Sequence, residues 1–125
     1  MNSTSLNKLK TCHPTLIKLA MAVDAVYPIQ VICGHRDKEA QDEAEKHGKS
    51  ELKWPNSKHN KTPAEALDFV PDPDRNPATI SWMDLKEFEI ACLVFESKAE
   101  ELGIKIRLGR DFKAKDYPHV EMVGL

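Results

Sequence analysis

Apolar residues recur along this chain in two periods, and the alternation between them sketches the fold. From Thr15 to Tyr27, Leu16, Leu19, Ala20, Val23 and Tyr27 share one helical face, and Pro28 ends the run. Ile29-Gln30-Val31-Ile32-Cys33 reads as a strand, rich in β-branched residues and closed by Gly34. Asp37 is placed to N-cap a charged helix over Lys38–His47, stopped by Gly48. With only Ala40 and Ala44 as an apolar face, that helix belongs on the surface. A polar loop over Lys49–Lys61 precedes a strand at Glu65–Val70, and Pro71, Pro73 and Pro77 mark Val70–Ala78 as an ordered surface loop. Ser81-Trp82-Met83-Asp84 has capping-box character and opens the clearest helix, in which Leu85, Phe88, Cys92, Phe95, Ala99 and Leu102 form one stripe and Gly103 is the stop. Ile104–Leu108 and Pro118–Val123 are strands around a polar turn at Gly109–Lys115. Helices and short strands mix without a βαβ rhythm, so the expected class is α+β: a small antiparallel sheet flanked by helices.

Composition narrows the function more than the fold. At 125 residues and 41% hydrophobic, the chain is expected to be a single domain, 1–125, with a core that needs no disulfide. A formal charge of −2 gives no electrostatic reason to expect nucleic acid or an anionic membrane. Cys12, Cys33 and Cys92 are odd in number, widely spaced and set among apolar residues, so all three are expected to be buried free thiols. No apolar run approaches the roughly 18 residues of a membrane span, and the N-terminus shows no signal-peptide pattern. The expectation is a monomer made and held in the cytoplasm, without a membrane anchor.

The informative chemistry lies in two stretches. Ser57–Asp68 places His59 in a polar loop and sets Asp68 inside the apolar run Ala66-Leu67-Asp68-Phe69-Val70. A buried carboxylate left unpaired costs several kcal/mol or takes up a proton. A metal ion, a buried Arg or a set of backbone N–H donors would each satisfy it. Downstream, Asp116-Tyr117-Pro118-His119 sets an acid three residues before a His that opens a strand-like run. Two His, one Asp and a spare carboxylate suit a catalytic zinc site with an open position and a nearby base. Asp116 would take the proton from the attacking water, and Arg36, at a strand end, would stabilise the developing oxyanion. No His-Glu-x-x-His helix is present, which excludes that class of zinc peptidase. His13, His35 and His47 are read as surface residues.

Ser57-Lys58-His59 with Ala66-Leu67-Asp68 resembles the S-x-H-x-x-G-x-A-x-D motif of the D-alanyl-D-alanine metallopeptidase family. Asp116-Tyr117-Pro118-His119 is similar to that family's second motif, an acid three residues before the last metal His. Gly34-His35-Arg36 with Gln41 resembles its G-x-R…Q element. The likeness extends over most of the chain, through His13-Pro14-Thr15-Leu16, Ile80-Ser81-Trp82 and Leu102–Phe112. It is strongest with the phage endolysin branch, the L-alanyl-D-glutamate endopeptidases. Two departures stand out. This chain has two more residues between His59 and Asp68 than the motif and lacks its Gly, and its base is Asp where many relatives carry Glu.

The resemblance implies a zinc site at the sheet's edge with His59, Asp68 and His119 as ligands, Asp116 as general base and acid, and Arg36 as oxyanion stabiliser. Ser57 and Gln41 would meet substrate, and Lys58, Lys61 and Arg110 are weaker candidates for reading a substrate carboxylate. The implied function is hydrolysis of the peptidoglycan stem peptide by an endolysin with no separate wall-binding domain, held in the infected bacterium's cytoplasm until it reaches the wall. A D-Ala-D-Ala dipeptidase or carboxypeptidase, and an inactive zinc-binding module of the same fold, are the alternatives.

Overall fold

In the computed structural model, residues 1–124 are described, and every strand and helix expected from the periodicity is present, all but the strand Ile29–Cys33 with shifted ends. A first helix, α1 (Ser3–Leu9), had no periodic signal; Asn2 caps it by accepting from Ser5 N. The second, α2 (Pro14–Val26), begins one residue early because Pro14 needs no donor in a first turn and His13 Nδ1 caps Thr15 N. Then come β1 (Ile29–Cys33), α3 (Lys38–Lys46) with Asp37 as its cap, and β2 (Ala66–Pro71). The long helix α4 (Leu85–Leu102) precedes β3 (Ile106–Leu108) and β4 (His119–Met122).

The strands form one sheet in the order β1-β2-β4-β3, antiparallel throughout, so the class is α+β as expected. Period-2 alternation divides β2 between two faces. Leu67 and Phe69 go into the core with α2 and α4, where Phe69 packs against Phe88 and Phe95 at ring separations of 5.7 and 4.8 Å. Asp68 turns to the other face, directly opposite His119 on β4 and, past an irregularity in β1, opposite Cys33. Three chemistry-bearing residues thus lie in one row across three strands.

Several expectations need correction. Asp84, not Ser81, is the N-cap of α4, accepting from Glu87 N. The buried face of α4 is Phe88, Ala91, Cys92, Phe95 and Ala99, while Leu85, in the first turn, is 53% exposed. Pro71 belongs to β2 and not to the loop that follows, and Asp72 behind it is buried, accepting from Gln30 Nε2 at 2.7 Å. Cys12 and Cys92 are core thiols, but Cys33 is only half-buried and faces the cluster described next.

Candidate metal centre

Three short segments bring the donors together. Asp68 and His119 meet because their strands pair in register. His59 arrives on a 3-10 turn, Lys58–Asn60, fixed at its start by Ser57, whose hydroxyl accepts from His59 N while Asn60 Oδ1 accepts from Ser57 N. Gly109 lets the last segment close in: a Cβ there would lie 2.0 Å from Asp116 O and 2.8 Å from His119 Cβ. Asp116 N donates to Gly109 O, which holds the acid and the His on one tight turn.

Asp68 Oδ1 sits 3.3 Å from His59 Nε2 and 3.3 Å from His119 Nδ1. Neither His59 Nε2 nor Asp68 Oδ1 makes a hydrogen bond, although both are buried. Such atoms are costly to leave unpaired, and a bound ion or an ordered water is what satisfies them. The other nitrogen of each ring is engaged elsewhere. His59 Nδ1 lies 2.8 Å from Gly34 O, and His119 Nε2 lies 2.8 Å from Glu121 Oε1. With protons on those nitrogens, both inward nitrogens carry free lone pairs. The 3.3 Å spacings match neighbouring ligands of a tetrahedral ion bound at about 2.0–2.1 Å, as zinc is. The residues therefore fit a divalent metal.

Asp116 places a carboxylate oxygen within 4.8 Å of the donors of Asp68 and His119. Cys33, His59 and Asp68 form a second set at the same spacing. Cys33 Sγ is 3.8 Å from His59 Nδ1 and 3.6 Å from the Arg36 guanidinium.

The charges are strongly coupled. Burial raises the Asp68 pKa, but the two imidazoles overcome it and hold the carboxyl well below the usual range. Burial opposes charge on His59, yet Asp68 and Cys33 outweigh it and push the ring up to about 10. His119 also rises: burial is overcome by Asp68 and Glu121. Asp116 is raised by loss of water around its carboxylate and then by the negative charge of Asp68. A raised carboxyl beside the donors of Asp68 and His119 is the environment a proton-transferring group needs.

Arg36 does not pair with Asp37 or Glu39. Its guanidinium lies 3.5 Å from Asp68 Oδ2 and donates to Gln41 Oε1 at 3.0 Å. Gln41 and Ser57, expected to contact substrate, are both in the interior. The Gln41 amide is fully committed, accepting from Arg36 and Asn60 and donating to Ser50 Oγ and Leu52 O, and so holds Arg36 in place. Asn60 was missed by the sequence reading; its spacing from Ser57 is that of a capping box and could have revealed it. Gly109 was not singled out as part of the cluster either. Arg110 is engaged by Glu89, Glu96 and Asp111, and Lys58 by Glu121 and Met122 O, whereas Lys61 is exposed. His13, His35 and His47 lie outside the cluster, the first two partly buried.

Known proteins resemble this chain in both sequence and fold. The family model for phage L-alanyl-D-glutamate peptidase matches residues 1–123. The L-alanyl-D-glutamate peptidase of Escherichia phage T5 is 32% identical over 120 residues, covering 94% of this chain and 85% of the phage protein. The crystal structure of the Serratia marcescens L-Ala D-Glu endopeptidase ChiX matches with a TM-score of 0.82 at 25% identity, covering 98% of this chain and 89% of that one. On this agreement in sequence and fold, the chain belongs to the phage L-alanyl-D-glutamate peptidase family.

Proposed function

We propose that this chain is a zinc-dependent peptidoglycan hydrolase that cuts the L-alanyl-D-glutamate bond of the stem peptide and serves a phage as its endolysin. The observation that carries the zinc reading is the pair of buried donors without hydrogen bonds, His59 Nε2 and Asp68 Oδ1, with His119 Nδ1 3.3 Å from the same oxygen. The names of the T5 and Serratia proteins supply the bond that is cut. One shared hydrophobic core supports reading 1–125 as a single catalytic domain. Among the described residues no helix is long and apolar enough to cross a membrane.

In this reading His59, Asp68 and His119 hold the ion. Bound there, zinc would polarise the scissile carbonyl and lower the pKa of water from about 15.7 towards 7. Asp116 then accepts the proton of the attacking water and returns it to the leaving amine. Arg36, fixed by Gln41, presents a permanent positive charge beside Asp68, where negative charge gathers on the carbonyl oxygen. Ser57 shapes the turn that delivers His59.

Digestion of purified wall fragments by the zinc-loaded protein, read by mass spectrometry, tests the assignment. A new D-glutamate amine is expected. Free D-alanine would establish a D-Ala-D-Ala dipeptidase or carboxypeptidase instead, and unchanged fragments would leave a zinc-binding module without activity.

A further inference from the structure

Glu121 is the part of the cluster for which the reaction has no use. It lies two residues beyond His119 on β4, half-buried, with Oε1 2.8 Å from His119 Nε2. A second carboxylate beside a metal site invites assignment as an alternative base. Its place argues otherwise, because it binds the nitrogen that faces away from Asp68 while the donors converge on the opposite side of the ring. It is itself held. Lys58 Nζ lies 3.6 Å from its other oxygen and donates to the neighbouring carbonyl of Met122. Lys58 stands immediately before His59, so one turn delivers one imidazole and anchors the carboxylate that orients the other.

We infer that Glu121 is the positioning residue of His119, fixing its ring with the proton on Nε2 and the free Nδ1 lone pair towards the metal, and that Lys58 acts by holding Glu121. The inference rests on reading the three donors as a metal centre. A free imidazole divides its proton between two nitrogens and turns about its Cβ bond. A carboxylate accepting from Nε2–H removes both freedoms before the ion arrives and raises the basicity of the ligand. Loss of such a partner commonly weakens metal binding by about 10–100-fold.

The test is zinc affinity of the full chain, measured by competition with a chromophoric chelator, together with the melting temperature of the metal-free protein. Glu121→Ala should bind zinc about 10–100-fold more weakly. Glu121→Gln, whose amide oxygen can still accept from Nε2–H, should recover most of the affinity. Lys58→Met should weaken binding in the native background and have no further effect on Glu121→Ala, since it acts through that carboxylate. The melting temperature separates positioning from a general loss of structure: equal metal-free stability with weaker zinc supports the inference. Native zinc affinity in Glu121→Ala, or a loss that Glu121→Gln does not relieve, overturns it while leaving the zinc reading intact. A native chain that binds no zinc overturns both.

Discussion

Asp68 carries one negative charge between two imidazoles and a guanidinium, and the balance of that charge sets how the metal-free protein responds to pH. Its folded pKa is depressed, so its contribution to stability is present above the unfolded value and fades as pH falls towards the folded one. His59 is the reverse case. Raised from 6.5 to about 10, it stabilises the metal-free fold fully below 6.5 and loses that contribution as pH rises through 10. Zinc must displace the same protons, so its binding strengthens where they are easier to remove. The gain in melting temperature on adding one equivalent of zinc to chelator-treated protein should therefore keep growing between about pH 7.5 and 9, a range in which an ordinary imidazole is already neutral. A gain that levels off by pH 7.5 would show that His59 titrates normally. Asp116 belongs to the same scale but to a different step. Asp116→Ala should keep its zinc and its melting temperature and lose turnover by at least ~100-fold. Undiminished turnover would put the base elsewhere.

Elements explain why much of this was legible before the fold was known. The apolar run Ala66-Leu67-Asp68-Phe69-Val70 marks Asp68 as a carboxylate that must be satisfied within a strand, and it lies there beside His59, His119 and Arg36. The stripe on α4 places Phe88, Cys92 and Phe95 in the core. What failed to show was structure held by distant partners. The seven residues of α1 are too few to be helical on their own, and the helix is tied down by Ser5 Oγ, which accepts from Val31 N on β1. For Gln41 a motif gives the position along the chain but not which way its amide turns. Gly109 has no local signature; its need appears only where Asp116 closes on it. Gly109→Ala should cost about 1–3 kcal/mol as an overpacked site and lower zinc affinity by pushing the 116–119 segment outward, checked by denaturant unfolding and zinc titration. Native values of both would mean that the turn is not what seats His119. Phe95→Ala, in the core and away from the donors, should cost about 3–5 kcal/mol and leave the zinc affinity of the remaining folded protein unchanged.

At the scale of the molecule, the sheet separates stability from chemistry. One face is sealed by α2 and α4 around an apolar core; the other gathers Cys33, Asp68 and His119 in a row, with His59 brought in from the 3-10 turn. Family membership and fold agree with a peptidase, and the atoms that bear on the metal are His59 Nε2 and His119 Nδ1, each 3.3 Å from Asp68 Oδ1. X-ray absorption at the zinc edge, on protein loaded and then dialysed, tests that claim most directly. One zinc per chain is expected, with nitrogen and oxygen neighbours at about 2.0–2.2 Å, no sulfur, and no zinc retained by His59→Ala. A zinc–sulfur distance near 2.3 Å would place Cys33 in the coordination shell, and a dialysed protein without zinc would remove the metal centre altogether.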